Sequence, residues 1–279
     1  MTGARPGRGS RTQLWTGGVI VAVVVLTALV SLVWTPHDPT LVDPAHRLRP
    51  PGWPYLLGTD SMGIDIASRL MAGARICLLV GVVSVSLSAL VGVPLGMLAG
   101  MRQGWLGRLV VHITDILYAF PALLLAILLA AAVGGSTTTG MVAIGIATIP
   151  VFTRISRAAC LQVMEQDYVL AARGCGTTWT AIAVRHVWPN IAPLVGVQAS
   201  VSFAMAILAE AALSYLGLAT AITTPSWGRM LYEAQSKQLF SHPEQVVWPG
   251  LAIALAVLGF NLLGDGLREL LDPRLRELS

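Results

Sequence analysis

Two carboxylates stand against apolar runs in this chain, and they are the first residues to weigh for chemistry. Asp115 lies at the start of one run, six residues before Pro121, and Glu210 at the end of another. A charge at membrane depth is costly, and it persists where it lines a path, forms a gate or is paired. Asp115 therefore reads as part of a polar path, as a helix-end hydrogen bond, or as a partner of Arg108 or His112. Glu210 reads as a gate, or as a group bonded to a backbone donor or to a second chain. The usual catalytic constellations are missing. The sequence holds no G-x-x-x-x-G-K-[ST] phosphate loop, since its single lysine, Lys237, is followed by Gln238. It has no H-E-x-x-H, no C-x-x-C and no G-x-S-x-G. The one enzyme class left is an intramembrane protease built on paired polar residues. Cys77, Cys160 and Cys175 sit in or beside apolar segments, with the spacing of neither a metal site nor a disulfide framework, and read as small packing residues.

A second group of residues is built for contact rather than reaction. Residues 167–190 read DYVLAARGCGTTWTAIAVRHVWPN, a polar Ala/Gly-rich stretch between long apolar runs. Asp167 heads a short helix, where negative charge is stabilised, and Leu170, Ala171 and Ala172 favour its continuation. Gly176 permits a sharp turn. Thr177 or Thr178 caps a second helix running to Val187 and ended by Pro189. Ala171, Ala172 and Gly176 offer a surface that another backbone can approach closely, and Arg173, Arg185 and His186 supply charge beside it. Such a segment docks a partner protein, or it lies on lipid as an interfacial amphipathic helix.

These residues need elements to hold them, and the composition says which. Of 279 residues 55% are hydrophobic and 11% charged, with a net charge of +4. A soluble domain carries about a quarter charged residues, so the solvent here is a bilayer. Residues 14–34 are apolar over a length that spans a hydrocarbon core, which needs ~20 residues. That run is too long for the core of a cleaved signal, and Trp34-Thr35-Pro36 is no small-residue cleavage site. Further spans are expected at 76–101, near 110–133, near 141–163, and at 191–209 and 245–264. The third and fourth are separated by the turn composition Gly134-Gly135-Ser136-Thr137-Thr138-Thr139-Gly140. Prolines 94, 121, 150, 193 and 249 lie in or beside these spans, where they are tolerated. Gly92, Gly96 and Gly100 form a small-residue row for close helix packing.

Arginine placement sets the orientation. With the amino terminus inside, twelve of the eighteen basic residues fall on the cytoplasmic side and six outside (Arg47, Arg49, Arg69, Arg75, Arg229 and Lys237). The net charge is thus a topology signal, not a nucleic-acid one. The expected organisation is all-α with six transmembrane helices. A cytoplasmic tail covers 1–13, the first span 14–34 and an external segment 35–75. A five-helix core covers 76–266, with the cytoplasmic loop 167–190 and an external loop 215–245, and a cytoplasmic tail covers 267–279. Both termini are expected inside.

The 167–190 segment resembles the Glu-Ala-Ala coupling loop of ABC importer permeases. Ala171, Ala172, Gly176, Ile182 and Pro189 fill positions of that motif, whereas Leu170 takes the place of its Glu, which Asp167 replaces only in part. Three further stretches resemble the dipeptide/oligopeptide/nickel branch of those importers. They are LGTDSMGIDIASRLMAGAR at 57–75 (with Ile64 where an Arg is usual), LSYLGLATAITTPSWGR at 213–229 and FNLLGDGLRELLDPRLR at 260–276. The last is typical of the "C" permease of these systems, and the likeness covers residues 14–276.

The resemblance implies a type I importer transmembrane domain in the inner membrane, paired with a related "B" permease. It further implies one or two ATPase subunits that bind ATP and Mg and grip the coupling loop, an external substrate-binding protein, and alternating access. This chain would then carry no catalytic residue, cofactor or metal of its own, and would contact lipid but no nucleic acid. Glu210 would meet a peptide amine or the companion permease. Family substrates include dipeptides, oligopeptides, nickel, glutathione and haem-like ligands, and without a His/Cys cluster peptide is the default. A standalone channel or secondary transporter would instead need no docking loop and would show internal repeats around midplane polar groups, which the sequence lacks.

Overall fold

The computed structural model describes residues 8–102, 104–219, 224–235 and 242–271. Arg5, Lys237, Arg274 and Arg276, and most of the expected 267–279 tail, lie outside the described residues. Helices follow in the order α1 (Arg8–Val33), α2 (Ile66–Met101), α3 (Trp105–Ala119), α4 (Ala122–Val133) and α5 (Thr137–Met164). Then come α6 (Asp167–Gly174), α7 (Trp179–Ile182), α8 (Trp188–Tyr215), α9 (Trp227–Gln235) and α10 (Glu244–Leu271).

Five helices are long and apolar enough to cross a membrane: Thr12–Val33, Ile66–Met101, Thr137–Met164, Trp179–Tyr215 and Glu244–Leu270. A sixth crossing requires α3 and α4 together, and these are bent by 86°. The single span expected near 110–133 is therefore a broken one. Proline supplies the reason. It forces the residue before it out of the helical region, and Phe120 is extended at φ −83°, ψ 135°. Pro94, Pro150, Pro193 and Pro249, by contrast, are held inside continuous helices.

A second correction concerns α2, which begins ten residues before the run expected at 76–101. Asp65 caps it, accepting from the Ser68 backbone N–H and hydroxyl at 2.9 and 2.6 Å. The helix can carry Arg69 and Arg75 because both are bonded. Arg69 pairs with acids described below, and Arg75 Nε donates to Ser31 Oγ at 2.5 Å.

The glycine row joins α2 to α5. A Cβ on Gly92 would lie 2.7 Å from the Ile149 carbonyl oxygen, one on Gly96 2.4 Å from that of Thr153, and one on Gly100 2.8 Å from Cys160 Cβ. Backbones this close exchange hydroxyl bonds: Ser84 Oγ donates to the Met141 carbonyl at 2.8 Å and Ser88 Oγ to that of Gly145 at 2.7 Å. Phe152, Ile191 and Leu213 are buried in this half of the core. A second apolar cluster joins α1, α2, α8, α9 and α10 around Ala204, Ile207, Trp227, Ala256 and Phe260. Phe203 and Phe260 stack with ring centroids 4.1 Å apart. Outside the helices, the segment between α1 and α2 is ordered by Thr59, Asp60 and Asp65, whose side chains accept the backbone amides of Arg49, Met62, Ile64 and Ser68. In the same segment the Asp43 carboxylate bonds the His46 ring, and that bond holds its carboxyl below the ordinary value.

Candidate coupling site

Residues 167–190 form two short helices meeting at a fixed turn. Helix α6 starts at Asp167 and ends at Gly174. Its end is a Schellman arrangement: the Gly176 N–H donates to the Arg173 carbonyl at 3.0 Å and the Thr177 N–H to that of Ala172 at 3.1 Å. Gly176 adopts φ +79°, a left-handed conformation that costs an L side chain about 1–2 kcal/mol. Of the two threonines expected to cap the next helix, Thr178 does so, accepting from the Ala181 N–H at 3.4 Å.

The expected stop at Pro189 is overturned. A π turn at Ala183–Val187 runs directly into α8, with Pro189 in the first turn of that helix. Proline lacks the N–H that a continuing helix would use, and the π turn immediately before it accommodates that gap. The wider π turn absorbs the change of register. The result is a continuous helical segment, Trp179–Tyr215, of 37 residues.

Val169, Ile182 and Val187 are each 1% exposed or less and anchor the segment to the core. Burying three such side chains stabilises the attachment by several kcal/mol, at roughly 1.5–3 kcal/mol each. The other face is open. Asp167, Leu170, Ala171, Arg173, Gly176, Arg185 and Pro189 are exposed, and Ala172 and His186 are half-buried. Leu170, at the motif's Glu position, is 49% exposed, so an apolar side chain is presented where the motif has a charge.

The fold brings some of these residues together. The Arg173 guanidinium lies 4.9 Å from the Trp179 ring centroid, and that of Arg102, at the end of α2, lies 5.9 Å from it. The Asn190 amide donates to the His186 carbonyl at 2.6 Å and to the Tyr168 hydroxyl at 3.2 Å. His186 and Tyr168 pack with centroids 5.9 Å apart. Tyr168, Trp179 and Asn190 thus hold the shape of the segment. Their signal in the sequence is spacing: Asn190 lies four residues after His186, one helical turn.

The two carboxylates are not brought to a common cavity. Asp115 pairs with Arg154 of α5 at 2.7 Å, not with Arg108 or His112. His112 bonds the Arg108 carbonyl instead, and Arg154 also lies over Tyr118 at 3.8 Å. Glu210 is 2% exposed. It accepts the Ser214 hydroxyl at 2.6 Å and a hydroxyl bond from Ser226. The nearest large cavity, about 460 Å³ between α4, α5 and α8, is lined by Thr148, Gln198, Ser202 and apolar neighbours, and neither carboxylate lines it.

Comparison with known proteins decides what such a molecule is. Residues 92–277 match the family model described as binding-protein-dependent transport system inner membrane component. The dipeptide transport system permease of Alkalihalophilus pseudofirmus is 38% identical over 262 residues, covering 93% of this chain and 85% of that protein. The chain belongs to this family of transport permeases. A di/tripeptide transport permease of Pseudomonas aeruginosa is 40% identical over 275 residues (94% of this chain, 89% of the relative). A glutathione transport permease of Pectobacterium atrosepticum is 39% identical over 260 residues (93% and 86%). Among solved structures, an inward-facing MetNI methionine ABC transporter superposes with a TM-score of 0.62 at 18% identity, covering 73% of this chain and 96% of that one. That likeness establishes the type I importer fold. The chain is a multi-pass inner-membrane permease subunit.

In this permease the stretches 57–75 and 213–229, far apart in sequence, meet at the start of α2, the end of that helix away from Arg102 and Trp179. Trp227 Nε1 donates to the Leu70 carbonyl at 3.0 Å. Arg69, 4% exposed, bridges Asp60 at 2.5 Å and Glu233 at 2.7 Å, and Glu233 also pairs with Arg229 at 2.9 Å. Removing one member of such a buried set leaves an uncompensated charge, at a cost of about 3–5 kcal/mol. Sequence reasoning placed Arg69 and Arg229 outside but missed the network, because Glu233 lies in neither motif.

Proposed function

We propose that this permease forms half of the translocation pathway of an ATP-driven importer of short peptides, and that residues 167–190 receive the ATPase subunit. The relatives' substrates support the peptide reading. They are named for dipeptides, di/tripeptides and glutathione, itself a tripeptide. The companion is a related "B" permease, and an external binding protein delivers substrate. ATP and Mg belong to the ATPase, and this chain supplies no cofactor.

One observation carries the coupling reading: α6, with its exposed face, is joined to the membrane-spanning α8 through the hydrogen-bonded Gly176 turn and the helical segment that follows it. A push on α6 passes through the Gly176 turn and α7 into the 37-residue helical segment Trp179–Tyr215. Amphipathic helices that merely rest on lipid need no such rigid connection. ATP binding closes the ATPase dimer, moves the two coupling segments and opens the cavity to the binding protein; hydrolysis resets it inward. The wall of that cavity is the face of α4, α5 and α8 carrying Thr148, Gln198 and Ser202. Both termini lie in the cytoplasm, with the coupling segment.

The variant Gly176→Asp tests this. No neighbouring atom lies within 4 Å of a Cβ built there, and the strain of a side chain at its left-handed φ, about 1–2 kcal/mol, is small enough for insertion and assembly to survive, while a charge is placed on the docking face. Membrane levels are expected to match the wild type, with peptide uptake and transport-stimulated ATPase activity reduced to background. Normal uptake by that variant would contradict the docking role.

A further inference from the structure

A pocket between the ends of α2 and α5 and the start of α3 is not used by the coupling mechanism. It has a volume of about 360 Å³ and is lined by Arg108, His112 and Arg157 with Gly107 and Leu161. None of its lining residues is acidic. Arg157 Nε is buried with no hydrogen-bond partner, which is costly unless a ligand supplies an acceptor. The contrast with Arg154, one turn earlier on the same helix, is informative. Arg154 takes the nearby acid of α3, Asp115, and stacks on Tyr118, so Arg157 is left facing two further basic groups. The His112 ring bonds the Arg108 carbonyl through Nδ1 at 2.8 Å, which turns its other nitrogen away from that bond. The first turn of α3 lies beside the pocket and has no side-chain cap, adding the positive end of a helix dipole.

We propose that this pocket binds a phosphate group, supplied by an anionic phospholipid of the inner leaflet. Phosphate matches two guanidiniums, an imidazole and a helix N-terminus lining one pocket. The lipid source follows from the adjoining face of α3, where Trp105, Leu109, Ile113 and Ile116 recur at helical spacing and are all exposed. A headgroup in the pocket therefore has an apolar stripe beside it for its acyl chains, and basic pockets between spans on the cytoplasmic side recruit such lipids. Assignment to the inner leaflet rests on the orientation proposed above. Lipid retention in detergent does not depend on that orientation, so the two readings fail separately.

The test is native mass spectrometry of the assembled transporter, delipidated in detergent and then titrated with phosphatidylglycerol, phosphatidylcholine or inorganic phosphate. The wild type is expected to retain phosphatidylglycerol through washing that removes phosphatidylcholine. Each of Arg157→Gln and Arg108→Gln is expected to weaken that retention about fivefold. Arg157→Lys and the remote control Arg47→Gln are expected to retain it. Arg108 is exposed, so its variant reports even if Arg157→Gln fails to assemble. Equal loss of the two lipids, or retention unchanged in both glutamine variants, would overturn the site. Inorganic phosphate held in place of phosphatidylglycerol would overturn the lipid source.

Discussion

At the scale of single residues, Glu210 shows how a membrane carboxylate can be structural. It is enclosed with the Ser214 hydroxyl 2.6 Å away and a second hydroxyl from Ser226, and it lines none of the larger cavities. Those hydroxyls can rotate, so an amide in its place keeps both bonds. Glu210→Gln is therefore expected to transport within about twofold of wild type. Glu210→Ala strands two buried hydroxyls, at about 1–3 kcal/mol for each unsatisfied group, and the solubilised complex is expected to melt at a lower temperature. Thermal melting and uptake of the two variants check this, and a collapse of uptake in Glu210→Gln at unchanged stability would restore a gating role. The sequence flagged Glu210 and Asp115 through their unusual setting. It could not give their partners, because Ser226 and Arg154 arrive through packing of distant helices.

Among the elements, the α2–α5 seam and the coupling segment carry the argument. The glycine row was legible because a four-residue spacing marks one helix face, and the fold confirms that α5 backbone lies against it. Gly96→Leu would place its Cβ 2.4 Å from the Thr153 carbonyl oxygen, with no flexible side chain to give way. Little assembled complex is expected from it, whereas Gly174→Ala, with open space around its Cβ, is expected to assemble normally. Detergent-extracted yield on size-exclusion chromatography reads both. Prolines were less legible. Five lie near spans, yet only Pro121 breaks its helix among the described residues. Within two turns before it, Asp115 and Tyr118 tie α3 to Arg154 of α5, so the bend is fixed where a charge pair holds one half. At Pro189 the expected helix stop became a π turn, because the apolar anchors Val187 and Ile191, both fully buried, continue the helix into the core. This turn transmits motion only if it is stiff. Replacing Ala183 and Val184 of this turn by glycine is expected to leave the ATPase bound but to uncouple it, seen as ATP hydrolysis without uptake.

For the molecule as a whole, the sequence conveyed the class well. Long charge-free runs and the sorting of arginines mark a polytopic membrane protein without any tertiary information, and the stretches 57–75, 167–190, 213–229 and 260–276 carry its resemblance to a permease. The ion-pair network at the start of α2 was less accessible: Asp60, Arg69, Arg229 and Glu233 join two distant motifs, and no local pattern links them. The central claim is that 167–190 faces the cytoplasm and is covered by an ATPase subunit. The chain contains a natural probe for it. Of three free cysteines, Cys77 and Cys160 are buried and Cys175, at the turn of the coupling segment, is exposed. The decisive measurement is labelling of Cys175 by a membrane-impermeant maleimide in inside-out vesicles, with the permease pair expressed with and without its ATPase. Strong labelling without the ATPase and protection with it are expected. Labelling confined to right-side-out vesicles, or equal labelling with and without the ATPase, would contradict the account.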